Sequence, residues 1–120
     1  MNDKKLMIVD DDVDTCSNLS DILSDLGFAV DVAYGGQEAL NLFKQHRYRL
    51  ALLDYNLPDI NGVALFRQMR QIHDGIEGLL VTAYASTETE EEAVSVGLRQ
   101  VVGKPVEIPR FLPLVEQALA

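Results

Sequence analysis

The sequence has a single cysteine, Cys16, so neither an intrachain disulfide nor a cysteine metal cluster is open to it. No apolar run approaches the roughly 18 residues of a membrane span. The opening "MNDKK" leads into no signal-like segment, and a cytoplasmic protein is expected. Basic residues are scarce: 10 Lys and Arg stand against 19 Asp and Glu, for a formal net charge of −9. Direct nucleic-acid binding draws its affinity largely from Lys and Arg on phosphates, so it is not expected here. Repeats, low-complexity tracts and linker-like stretches are missing too. The 120 residues, 48% hydrophobic and 24% charged, therefore read as one globular domain, 1–120, around a single core.

What is present is an alternation. Five short apolar runs, "KLMIV" (5–9), "FAVDVA" (28–33), "RLALLD" (49–54), "GLLVTA" (78–83) and "QVVGK" (100–104), are separated by segments with helical spacing. Four of the five runs lack polar alternation, as strands of a parallel sheet covered on both faces do; the mixed second run suits a place nearer an edge. Val13, Cys16, Leu19, Ile22, Leu23 and Leu26 form one helical stripe, with Gly27 as a stop. Ala39, Leu40 and Phe43 form a second after Gly35-Gly36. Val63, Leu65, Phe66, Met69 and Ile72 form a third. Residues 86–98 begin acidic, where a helix dipole favours carboxylates, and carry Ala93, Val94 and Val96. Pro113 would remove a hydrogen bond from a helix begun at Ile108, so the last helix is expected to start nearer Pro109 or Arg110, or to bend. Strands alternating with helices imply right-handed crossovers and a doubly wound α/β sandwich. Ligands of such folds bind at the carboxyl ends of the strands.

Those ends are where the polar residues fall. Asp10 and Asp11 end the first run, Asp54 the third, Thr82 lies at the end of the fourth, and Lys104 ends the fifth. Two unit charges about 4 Å apart repel by roughly 4 kcal/mol at an effective dielectric near 20, so clustered aspartates need a compensating charge. Carboxylates without histidine or cysteine favour a hard cation, and Mg²⁺ fits best, since it takes one or two carboxylates, waters and phosphate oxygens. A lysine opposite supplies a point charge for phosphate, and a threonine hydroxyl can donate to another oxygen. A carboxylate can itself be the nucleophile, forming an aspartyl phosphate.

Taken together, "IVDDD", "LLDYNLPDING" around Asp54, "VTA" at 81–83 and "GKP" at 103–105 make the whole chain resemble a response-regulator receiver domain of two-component signalling. The resemblance implies a (βα)5 flavodoxin-like fold with a central five-stranded parallel sheet in the order 2-1-3-4-5. It implies Asp54 as phosphoacceptor, with Mg²⁺ held by Asp11, Asp54 and the backbone carbonyl of Asn56, and by Asp10 through water. Lys104 would pair with the phosphoryl group, and Thr82 would hydrogen-bond to it and move on activation. A cis Lys104–Pro105 bond is implied as well. The donor would be a sensor histidine kinase or a histidine phosphotransfer protein, the recipient an effector domain or output protein, and dimerisation on phosphorylation is plausible. Such a domain consumes its own phosphoryl group and is a signalling module rather than an enzyme.

The chain departs from that pattern at Val101, three residues before Lys104, where receivers usually carry Tyr or Phe. A β-branched side chain has few rotamers and cannot make the ring's inward swing. Tyr84 and Asn56 occupy positions that tune dephosphorylation in receivers. Asp12 reads as an N-cap rather than a ligand. A calcium loop begun at Asp10 fails, because its sixth position is Thr15 and its twelfth Asp21. Asn61-Gly62 precedes helical spacing and reads as a helix start instead of a hairpin, with Gly62 also serving a tight turn after Pro58. His46 and His73 sit near predicted helix ends and read as exposed, Cys16 as a small core residue. An aspartate-nucleophile phosphatase would need a second carboxylate two residues after Asp54, where Asn56 stands. A flavin-binding protein would need a phosphate loop where Asp10–Asp12 repel one. A phosphorylation-independent docking module is the alternative that Val101 keeps open.

Overall fold

The computed structural model describes residues 5–83 and 85–120. In chain order its elements are β1 (Lys5–Val9), α1 (Val13–Asp25), β2 (Ala29–Ala33), α2 (Gly36–Gln45), β3 (Leu50–Leu53), α3 (Gly62–Ile72), β4 (Glu77–Thr82), α4 (Thr87–Ser95), β5 (Gln100–Gly103) and α5 (Ile108–Leu119). The strands form one sheet in the order β2-β1-β3-β4-β5, with the four pairings all parallel. The mixed second run is indeed an edge strand.

Strand residues alternate between two apolar layers, as a period of two requires. Leu6, Ile8, Leu50 and Leu52 pack with Cys16, Leu19, Leu23, Phe111 and Val115, so α1 and α5 cover one face. Met7, Val9, Ala51 and Leu53 pack with Ala39, Phe43, Phe66, Met69 and Ala93, so α2, α3 and α4 cover the other. That two-sided cover explains why β1 and β3 are apolar without alternation.

Four residues of the expected stripes lie in solvent. Val13 is 60% exposed, Leu26 55%, Ile72 45% and Val94 72%. A 13-residue helix spans about 20 Å and a five-residue strand about 16 Å, so α1 is longer than the strand beside it, and its first residue Val13 and its C-cap Leu26 fall beyond the buried stripe. Ile72 is likewise the last residue of α3, while Val94 sits about 100° round α4 from buried Ala93.

The stop at Gly27 is a Schellman turn: Gly27 N–H donates to Ser24 O at 3.0 Å and Phe28 N–H to Leu23 O at 3.1 Å, with Gly27 at φ +95°. Gly97 closes α4 the same way at φ +91°, with N–H bonds from Gly97 to Val94 O and from Leu98 to Ala93 O. The last helix differs from the expectation. It begins at Ile108 and runs through Pro113, with Pro109 in its first turn. Pro113 lies on the exposed face, where water can satisfy the carbonyl that its missing N–H leaves.

Candidate functional site

Strand pairing brings the polar ends together. Asp10 follows β1, and its N–H donates to Ala33 O at 3.1 Å; Asp54 follows β3, and its N–H donates to Val9 O at 2.9 Å. Both therefore extend the sheet by one residue, which fixes their Cα positions with the rigidity of the strands. Lys104 N–H donates to Thr82 O at 2.9 Å, so the lysine is registered on the end of β4. The Lys104–Pro105 peptide bond is cis.

The side chains converge. Lys104 Nζ donates to Asp10 Oδ2 at 2.6 Å and to Asp54 Oδ2 at 3.2 Å. Asp10 and Asp54 are both buried, and Asp11 is exposed. One carboxylate oxygen from each of Asp10, Asp11 and Asp54 lies within 4.8 Å of the others. Asp10 Oδ1 also accepts from Asp12 N–H at 2.9 Å, and Asp54 Oδ1 from Asn56 N–H at 3.4 Å.

Burial, then the Asp10 charge, pushes the Asp54 carboxyl above the ordinary carboxylate range, against the pull of Lys104 and the Asn56 N–H. Burial acts to lower the Lys104 ammonium, but hydrogen bonds to Asp10 and Asp54, with their charges, outweigh it and leave its pKa raised. One ammonium among three carboxylates leaves two negative charges uncompensated, the charge of a divalent cation. An all-oxygen donor set with one exposed member fits Mg²⁺ or Ca²⁺ and not a soft metal.

Asp12 is outside this set. Its Oδ1 accepts from Asp14 N–H at 3.0 Å and Thr15 N–H at 3.4 Å, and its Oδ2 from the Thr15 hydroxyl at 3.0 Å, so it caps α1. Cys16 is buried, with its thiol donating to Asp10 O at 3.2 Å, and burial followed by the charges of Asp10 and Asp12 raises its pKa to about 11. It is a protonated core residue. Thr82 is fully buried at the end of β4. Val101 pairs with Leu80 and packs half-buried against the α2–α4 layer. Asn56 is exposed, and Tyr84 lies outside the described residues. His46 is exposed at the C-cap of α2; His73, at the C-cap of α3, is half-buried against Arg47.

Gly62 also allows a close backbone approach. A Cβ there would lie 2.3 Å from the Asp54 carbonyl oxygen, so the N-terminus of α3 can approach the end of β3 only with glycine at this position. Asn61 is the N-cap, its side chain accepting from Ala64 N–H at 2.8 Å.

Two residues of the β3–α3 loop escaped the sequence reading. Asp59 accepts from Gly36 N–H at 2.8 Å and Gln37 N–H at 2.9 Å, capping α2 from the neighbouring β3–α3 loop on the same face of the sheet. The signal was Gly35-Gly36, a helix start with no capping side chain of its own. Tyr55 donates its hydroxyl to Glu92 Oε1 at 3.2 Å, linking the residue after Asp54 to α4. Nothing in the sequence pairs those two positions.

A family model described as the response regulator receiver domain matches residues 6–116. A response regulator receiver protein of Anaeromyxobacter sp. (strain Fw109-5) is 38% identical over 111 residues, covering 92% of this chain and 47% of that protein, so the chain spans just under half the length of that relative. Among solved structures, a CheY-like response regulator receiver domain protein from Methanospirillum hungatei JF-1 superposes with a TM-score of 0.93 at 30% identity, covering 97% and 93% of the two chains. A response regulator protein from Burkholderia pseudomallei, solved with a phosphorylated aspartic acid, a calcium ion and citrate, superposes at 0.86 with 26% identity, covering 98% and 74%.

Proposed function

The chain belongs to the response regulator receiver domain family, and from that membership we propose that residues 1–120 act as a phosphoacceptor switch with Asp54 as the acceptor. The observation that carries this reading is the convergence of Asp10, Asp11 and Asp54 on Lys104 at the carboxyl edge of the sheet. An Asp54 carboxylate oxygen attacks the phosphorus of a phosphohistidine on a sensor kinase or phosphotransfer protein. The new P–O bond forms as the P–N bond breaks, and the electron pair leaves with the imidazole nitrogen. Lys104 Nζ, already against Asp54 Oδ2, neutralises a phosphoryl oxygen, and the Thr82 hydroxyl donates to another. Asp11, Asp54 and the Asn56 carbonyl would hold Mg²⁺, with Asp10 acting through water; when bound, the ion supplies charge neutralisation on phosphoryl oxygens.

With Val101 unable to swing as an aromatic ring does, Thr82 movement is read by other groups. Asn56 and Tyr84 tune return by hydrolysis. The output is an effector domain or a separate protein. A second reading, a docking module independent of phosphorylation, is favoured by one feature only: the packed, β-branched Val101.

Intact mass after incubation with acetyl phosphate separates the two. One Mg²⁺-dependent phosphoryl adduct, lost in Asp54→Ala, is expected. No adduct in the wild type under any condition would overturn the acceptor reading in favour of docking.

A further inference from the structure

The loop that follows β3 is closed at its base and tied at its tip. At the base, Asn56 and Asn61 form an isolated antiparallel bridge. At the tip, the Asp59 carboxylate takes the first two N–H groups of α2, one on each oxygen. Gly35 at the N-cap contributes no side chain, so among the described residues the cap comes from Asp59, over 20 positions along the chain. The contact is tight: a Cβ on Gly36 would lie 2.2 Å from Ile60 Cγ2. Hydrogen bonds from the Gly36 and Gln37 N–H groups hold Asp59 below the ordinary carboxylate range, so the tie is an ionised one at neutral pH.

This tie completes a ring around the carboxylates. Asp10 is bonded to Ala33 at the end of β2; Ala33 leads through Tyr34 and Gly35 to Gly36; Gly36 is bonded to Asp59; the loop returns to Asn56 and Asp54; and Asp54 is bonded to Val9, next to Asp10. Cutting both Asp59 links, to Gly36 and to Gln37, frees the loop tip from α2 and leaves the Asn56 carbonyl placed by the Asn56–Asn61 bridge, the Tyr55–Glu92 bond and the packing of Leu57 and Ile60.

We propose that Asp59 is a positioning residue for the cation site: by pinning the loop tip to α2 it sets where the Asn56 carbonyl stands relative to the strand-held Asp10 and Asp54 and to Asp11. The proposal rests on the reading of those groups as cation ligands. Asp59 touches neither the cation nor the phosphoryl group. Groups hydrogen-bonded directly to a metal ligand change metal affinity by about 10–100-fold when removed, and Asp59, bonded to Gly36 and Gln37 rather than to a ligand, is expected at the low end of that range. A plain helix cap would change stability alone.

The test is calorimetric titration of Mg²⁺ into the wild-type chain, Asp59→Ala, Asp59→Asn and Asp11→Asn, under conditions where circular dichroism gives each variant native helix content. Asparagine keeps the size and one acceptor oxygen but offers an NH₂ group to the second N–H. The expected Mg²⁺ dissociation constant rises about tenfold in Asp59→Ala, with Asp59→Asn between it and the wild type, and binding is lost in Asp11→Asn. Loss in Asp11→Asn with wild-type affinity in both Asp59 variants would overturn the positioning role and leave the cation site standing. Wild-type protein that binds no Mg²⁺, or binding indifferent to Asp11→Asn, would overturn the site reading and this inference with it. Should Asp59→Ala fail to fold, the isosteric Asp59→Asn decides alone: a rise of about threefold or more supports the tie, and an unchanged constant rejects it.

Discussion

Lys104 bridges Asp10 and Asp54, yet burial and the neighbouring Asp10 charge outweigh its pull and govern how Asp54 titrates. A carboxyl whose folded pKa lies above its unfolded value favours the fold when protonated and loses that contribution as pH rises through the folded value. Ionised Asp54 therefore weakens the metal-free fold at neutral pH. Asp54→Asn, which keeps the shape and an acceptor for Lys104, should melt a few degrees higher than the wild type at pH 7 with EDTA. That advantage should shrink as pH falls through the acid range and the wild-type carboxyl protonates. A difference independent of pH would show that packing, not charge, separates the two proteins. Gly62 sets a steric condition on the same residue. Gly62→Ala drives a methyl into the Asp54 carbonyl, and a cost of about 1–3 kcal/mol in urea unfolding is expected. Under the phosphoacceptor reading, labelling by acetyl phosphate should fall with it, because the displaced backbone is that of Asp54.

At the scale of elements, the helices use several ways of starting and stopping. α1 and α4 stop at glycines in left-handed turns, while α1 starts on Asp12 and α3 on Asn61. α2 borrows its cap from another loop, and α5 runs through a proline. Proline inside a helix is about 3 kcal/mol less favourable than alanine, offset by roughly 0.4–1 kcal/mol of unfolded-chain rigidity. Pro113→Ala on the exposed face of α5 should thus raise stability by about 2 kcal/mol in chemical denaturation. An unchanged midpoint would mean that the proline is already accommodated by local geometry.

At the scale of the molecule, the fold concentrates negative charge at one edge of the sheet of a chain that is already acidic overall. Among the described residues, no helix is long and apolar enough to cross a membrane. Under the cation-site reading, that edge makes folding stability depend on divalent cation. At Mg²⁺ tenfold above its dissociation constant, the stabilisation is RT ln 11, about 1.4 kcal/mol. A melting temperature that rises with Mg²⁺ in the wild type but stays level in Asp11→Asn is expected; a rise of equal size in both would assign the effect to general screening of net charge.

The sequence by itself determined the class of the fold and the members of the candidate site. Uninterrupted apolar runs mark strands covered on both sides, and in such a sheet polar residues at run ends must share an edge, so the convergence of Asp10, Asp11, Asp54 and Lys104 was legible from position alone. The N-cap role of Asp12 was legible for a different reason: capping is local, and its partners Asp14 and Thr15 lie two and three residues on. Only the tertiary structure decided which stripe residues were buried, because helix overhang depends on strand length as well as helical period. The same holds for the contacts that cross between elements: Gly62 against the Asp54 carbonyl, Tyr55 on Glu92, and Asp59 on α2. Each joins residues whose chain separation carries no periodic signal, and only packing brings them within reach.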